Sequence, residues 1–301
     1  MRTLFPLLLL GALTLGPSFA KPSSVRFSYL RTASSHVYVV TVDLNDPTVK
    51  VATAVSRWGT GSVETYRSMV TRLRPTAAIT GTFFCSRKRI PTGDIVTDGQ
   101  LVHYGGVGTG LAITPANQAV MVPRRKYHHV NWSGFETVLC AGPRLLWDGR
   151  MVVDPRGEGF RDRRMINARL TRLGVGITAT NKLKLVTAKG PLHLRDLAKV
   201  MRSLGCVDAV DLDQGSSSAM YCRGKTIQKP SRALTNMLMV FDTHARYAAA
   251  LPRLIPQAWI ARSPEPATSE VAPAVPAGPV GSAVPLAPPG AARREEDDGL
   301  Q

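Results

Sequence analysis

The stretch Val207–Gly224, VDAVDLDQGSSSAMYCRG, constrains the fold more than any other part of the chain. A short aliphatic run delivers two carboxylates into a turn of small polar residues. Side chains alternate between faces of a strand, so Ala209, Asp211 and Asp213 share one side while Val210 and Leu212 pack on the other. Gln214, Gly215, Ser216, Ser217 and Ser218 follow. Small side chains let a ligand approach the backbone amides, and hydroxyls donate or accept. A carboxylate at a strand end beside such a turn is where open α/β sheets place their binding crevice. The same residues also fit an ordinary strand closed by a serine-rich turn, and the stretch alone does not separate the two.

Further blocks decide between them. LDQGSSSAM resembles the LDGGGSSTM signature of the phosphodiester glycosidase family. Ala78–Phe84, AITGTFF, is similar to that family's AINGGFF, and Ile90–Val102, IPTGDIVTDGQLV, to the block that follows it. Ala141–Gly149, AGPRLLWDG, resembles GPRLV-DG, and Arg172–Gly176, RLGVG, falls where RTAVG is expected. Pro230–Val240, PSRALTNMLMV, is similar to the closing block. These pieces stand in the family's order and cover most of residues 76–241, so the set is far more specific than any member.

The resemblance implies an α/β (α+β) fold: one domain with a mixed, twisted sheet flanked by helices. It also implies a hydrolase cleaving a glycosidic bond in a sugar phosphodiester or envelope polysaccharide. Asp213 and Asp211 are then the catalytic carboxylates, since glycoside hydrolysis commonly uses two. Arg172 matches the family's cleft arginine, whose planar fork of donors suits phosphate. Substrate-binding positions are Thr80, Gly81, Gly215, Ser216, Ser217, Ser218, Arg232 and Asn236. Five positions depart from the pattern. Thr80 stands for Asn, Gln214 and Ser216 for two glycines, Ala219 for a small hydroxyl residue, and Asp211 for Asn. Gln214 strains any geometry that needs positive φ. These departures motivate an alternative, a catalytically silent member that holds an anionic glycan or cell-wall polymer.

The ends of the chain read differently from its body. Met1–Ala20 carries Arg2, an apolar run from Leu4 to Leu15 and a Ser18-Phe19-Ala20 end, the pattern of a cleaved secretory signal. The run is shorter than the roughly 20 residues that span a bilayer, and no later segment is long and apolar enough. The expected location is therefore secreted, periplasmic or cell-envelope. Residues 263–301 are rich in proline and alanine without helical or strand period, as in a disordered tail. One domain is left at residues 21–262.

Formal net charge is +17 for the whole chain. Without Arg2, and without a tail holding two arginines against six acids, residues 21–263 carry +20. Such a body is drawn to polyanions. Nucleic acid fits less well than a carbohydrate, a sugar phosphate or an anionic envelope polymer, because aromatics are only 6% and no nucleic-acid-binding signature occurs.

Four cysteines, Cys85, Cys140, Cys206 and Cys222, permit disulfides in an exported protein. Of the three pairings, Cys206–Cys222 is favoured because it would brace the aspartate loop; free buried thiols are the alternative. No cofactor is expected. Gly105–Gly110, GGVGTG, lacks the Gly-Lys-Ser/Thr ending of a phosphate loop, and His128 and His129 have no ligand partner at metal spacing. No metal ligands are assigned, and calcium is left open, without EF-hand spacing.

Apolar alternation over Val37–Val42 and Val49–Val55 predicts a hairpin turning at Asn45-Asp46-Pro47. A helix capped by Ser62 is expected to run to Leu73, stopped by Pro75. Leu194, Leu197, Ala198 and Met201 predict a second helix ending at Gly205, which makes strand, helix and next strand a crossover unit.

Overall fold

Three sheets close around one aliphatic interior. They are seen in a computed structural model that describes residues 23–32, 35–124, 128–256 and 270–271. The expected leader, and the tail except for 270–271, lie outside the described residues. A seven-stranded sheet runs in the order β1 (Val25–Arg31), β2 (His36–Asp43), β16 (Lys182–Leu192), β15 (Leu170–Thr178), β17 (Cys206–Asp211), β13 (Arg144–Trp147), β14 (Arg150–Met151). One five-stranded sheet runs β10 (Ala119–Val122), β9 (Thr109–Ile113), β12 (Thr137–Ala141), β7 (Ile95–Thr97), β8 (Gln100–His103). The other five-stranded sheet runs β19 (Lys225–Gln228), β18 (Met220–Cys222), β4 (Ala77–Thr80), β20 (Asn236–Phe241), β3 (Lys50–Val55). Two short pairs, β5 (Phe84–Cys85) with β6 (Ile90–Pro91) and β11 (Val130–Asn131) with β21 (Glu270–Val271), complete the strands.

Strand alternation explains the layering. In β20, Leu238 and Val240 face the common interior, which also takes Val175 and Val210 from the seven-stranded sheet and Leu111 and Leu139 from the third. Met237, Met239 and Phe241 face outward, under α1 (Tyr66–Leu73) and α4 (His244–Ala250). Both faces are buried, so the strand reads as a continuous apolar run instead of an alternating one. On the outer face of the seven-stranded sheet lies α3 (Leu194–Ser203), which buries Leu194, Leu197, Ala198 and Met201. It approaches closely because β15 offers glycines: a Cβ on Gly176 would sit 2.8 Å from the Met201 methyl and the Cys206 sulfur.

The expected α/β (α+β) class holds only roughly. Strands dominate the described residues, and only four short α-helices, including α2 (Arg163–Asn167), accompany them. The expected single mixed sheet is three sheets, and every neighbouring pair except β11–β21 is antiparallel. The crossover survives in a particular form. β16 and β17 both pair antiparallel with β15, so they run parallel to each other with α3 between them in sequence.

The hairpin at the start is also corrected. β2 pairs with β1 and β16, whereas β3 pairs with β20 in another sheet. The turn carries the chain across the interior, with Val42 and Val51 both in the common core. α1 begins three residues later than Ser62 predicts, because Thr65 caps it by accepting from the Ser68 amide.

No disulfide forms: Cys85, Cys140, Cys206 and Cys222 are all free. Cys206 lies on the helix-covered face of the seven-stranded sheet and Cys222 in the interior between sheets, so the favoured pair is separated by a layer of the fold.

Candidate active site

After Asp211 the chain leaves the seven-stranded sheet and docks on the end of β4. The Leu212 amide still bonds to Leu173 O (3.0 Å), but the Asp213 amide donates to Gly81 O (3.0 Å) in the other sheet. Thr80 holds the rest of the loop. Its hydroxyl donates to Ser217 O (2.6 Å) and accepts from the Ala219 amide (2.8 Å). Gly215, at φ 64, starts a 3-10 turn over Gly215–Ser217. Gln214 has an extended backbone at φ −136, so its replacement of glycine carries no strain.

Asp213 lies at the floor of this loop and is 3% exposed. Its carboxylate accepts from its neighbour's amide, Gln214 N (2.9 Å), and from Arg232 Nη2 (3.2 Å), and bonds the Ser217 hydroxyl. Burial outweighs these donors and pushes the carboxyl up to about 6. Arg232 also donates to Ser217 Oγ (2.6 Å) and lies over the Phe84 ring at 4.4 Å. Its side chain is 34% exposed, against 4% for that of Asp213. The Nη1 group of Arg232 has no protein acceptor among the described residues.

Arg172 has a different fate from the cleft fork that the resemblance implies. It is fully buried, and it donates to Leu192 O (3.0 Å), Met165 O (3.0 Å), Ala168 O (2.6 Å) and Gln214 Oε1 (2.6 Å). Asp211 stands 3.9 Å from Arg172 Nη1, equally enclosed, and neither carboxylate oxygen has a hydrogen-bond partner. Burial drives the Asp211 carboxyl well above its usual range, against the pull of Arg172 and assisted by Asp213. This pair, with the Gln214 side chain, underpins the loop from beneath.

The remaining expected positions divide. Asn236 is buried; its side-chain oxygen accepts from the Thr82 amide (2.8 Å) and its nitrogen donates to Thr82 O (3.2 Å). Gly81 permits this, since a Cβ there would lie 1.9 Å from the Asn236 oxygen. Thr80, Gly81 and Asn236 therefore fix the loop's seat. Gly215 and Ser216 are exposed, while Ser217 and Ser218 are buried. Among the described residues no group of three or more His, Cys, Asp or Glu side chains is placed to hold a metal.

Two features escaped the sequence. Phe84 is only half-buried and lies under Arg232. Asp94, in the IPTGDIV block, is a buried hub that accepts from Arg124 Nη1 (2.6 Å), Trp132 Nε1 (2.9 Å) and the Gly105 amide (2.7 Å). The GGVGTG stretch thus wraps a carboxylate of its own chain, and nothing in its pattern signals that.

A profile described as phosphodiester glycosidase matches residues 74–241, which hold β4, the aspartate loop, Arg232 and β20. The chain belongs to the phosphodiester glycosidase family. Solved structures agree at the level of fold. The zebrafish N-acetylglucosamine-1-phosphodiester alpha-N-acetylglucosaminidase catalytic domain, auto-inhibited by its pro-peptide, is similar at 18% identity and TM-score 0.60, covering 76% of this chain and 85% of that one. A hypothetical protein from Synechocystis is similar at 15% identity and TM-score 0.56, covering 72% of this chain but only 61% of its own length. A Burkholderia pseudomallei protein described as exported is similar at 16% identity and TM-score 0.56, over 69% and 74% of the two chains. No curated protein matches the chain. Membership supports a glycosidase-type function, and no helix among the described residues is long and apolar enough to cross a membrane.

Proposed function

We propose that this family member is an exported hydrolase that breaks the bond between the anomeric carbon and a phosphodiester oxygen. The observation that carries the reading is the Asp213–Arg232–Ser217 cluster: a nearly enclosed carboxylate whose arginine partner faces solvent with donors to spare. A phosphate monoester leaves readily, so leaving-group protonation matters less than charge stabilisation. Arg232 takes the phosphate on Nη1, and the exposed Gly215–Ser216 backbone lines the approach. Asp213, ionised above about pH 6, accepts a proton from the attacking water. The water oxygen bonds to the anomeric carbon, the carbon–oxygen bond breaks, and its electron pair leaves on the phosphate.

Asp211 and Arg172 act at one remove. Arg172, beside Asp211, holds the Gln214 side chain, and the Gln214 backbone amide in turn fixes Asp213. The +20 charge of residues 21–263 favours an anionic envelope polymer bearing sugar phosphodiesters as the substrate class.

The test is hydrolysis by the full chain of a panel of glycosyl phosphodiesters, followed by phosphorus NMR for release of the monoester, with Asp213→Asn alongside. Turnover by the native chain and loss in the variant is expected. Binding across the panel without any turnover would replace this reading with that of a silent glycan-binding protein.

A further inference from the structure

A cavity of about 500 Å³ lies far from the aspartate loop, between α1, the β18–β19 hairpin and α4. That volume falls within the usual range for small-ligand sites, roughly 300–1,000 Å³. Pro75, which precedes β4, lines it, whereas Gly81 follows β4 at the aspartate loop. Six residues of extended chain place the two regions about 20 Å apart.

Three arginines, Arg67, Arg74 and Arg246, line this cavity. Arg67 and Arg74 have no carboxylate partner among the described residues. Arg246 meets Asp242 at 3.5 Å, a carboxylate that Arg223 also approaches at 3.7 Å. Cation is therefore in excess, and all three arginines are exposed to a ligand arriving from solvent. Arg74 closes α1 at φ 50, its amide bonded to Val70 O (2.8 Å), and lines the cavity.

The rest of the lining specifies more than a bare ion. Tyr221, Val70 and Pro75 give a partly apolar wall, and Thr71 and Thr226 add hydroxyls. The Tyr66 phenol forms part of the floor and is fixed by its bond to Thr226 Oγ1 (3.1 Å). Guanidinium forks suit phosphate oxygens, hydroxyls suit sugar hydroxyls, and an apolar wall suits the C–H face of a pyranose.

We propose that this cavity is a second ligand site, for a sugar carrying a phosphate group. It stands on its own lining and holds whether or not the aspartate loop is catalytic.

Titration of the full chain with glucose 6-phosphate, read by backbone amide NMR, tests it. Saturable shifts are expected at Thr71, Gly224 and Thr226. Arg67→Gln/Arg74→Gln should weaken that response at least tenfold and leave hydrolysis of phosphodiesters unchanged. Arg74→Gly should also weaken it while relieving the left-handed strain, so a loss of folding cannot mimic the result. The proposal is overturned if those amides do not move, if they move linearly with salt, or if inorganic phosphate at equal ionic strength binds as tightly. Unchanged affinity in Arg74→Gly overturns it as well. The amides report the cavity and the hydrolysis assay reports the aspartate loop, so the two readings fail separately.

Discussion

Asp211 and Asp213 stand two residues apart, each beside an arginine, and their surroundings are opposite. Asp211 and Arg172 are both fully enclosed, and Arg172 spends its donors on carbonyls and on Gln214. Asp213 is almost as buried, but Arg232 is 34% exposed and keeps donors free. The first pair is a foundation and the second a mouth. The difference teaches that an acid–arginine pair acquires a role from which partner reaches solvent, not from its residue types.

The sharpest break in that comparison is between two asparagine variants. Asp213→Asn should lower kcat/KM on a phosphodiester by about 10³, within the usual range for a lost general base, in a protein that keeps its fold. Asp211→Asn should stay within about tenfold of the native rate, because burial already favours the uncharged form at that position. Equal losses in the two would dissolve the distinction.

Arginine changes probe it through stability. Arg172→Met strips donors from three buried acceptors and a half-buried one and should cost about 3–5 kcal/mol, measured by denaturant unfolding. Arg232→Gln removes a half-open partner and should cost about 1 kcal/mol or less, while KM for the phosphodiester rises. A reversed order of stabilities would refute the assignment of foundation and mouth.

Smaller effects refine the picture. Gly81→Ala forces the Asn236 side chain from its seat and should destabilise by about 1–3 kcal/mol, with a comparable loss of activity. Acidification gives a signed test. With Asp213 raised from 3.8 to about 6, the native state binds more protons than the unfolded chain across that interval. Stability should therefore fall as pH rises from about 4 to 6, while kcat/KM rises over the same range. Glu158, raised from 4.5 to about 7 by burial, extends the stability slope to neutrality, and the buried Asp208 and Asp211 carboxyls, also raised, add to it, so Asp213→Asn should reduce the slope without removing it.

Much of the site was legible before any coordinates. The ordered blocks from Ala78 to Val240 place Thr80, Gly81, Asp213, Ser217, Arg232 and Asn236 in one family pattern, and the structure brings these six together. The spacing of Leu194, Leu197, Ala198 and Met201 marks the buried face of α3 residue for residue. Periodicity carries such information because the repeat of a helix or strand is local to the chain.

What remained hidden is of another kind. Whether β2 and β3 join each other or different sheets depends on a crossing that alternation does not encode. The Cys206–Cys222 bridge failed because a sheet lies between the two thiols, although few residues separate them. Gln214 looked like a strained intrusion, yet its backbone is extended and its side chain is bonded to Arg172. By itself, then, the sequence determined which residues form elements and which chemistry they carry, since both are properties of neighbours along the chain. Only the tertiary structure decided which acid–arginine pair reaches water, because solvent reach is set by what distant strands place around it.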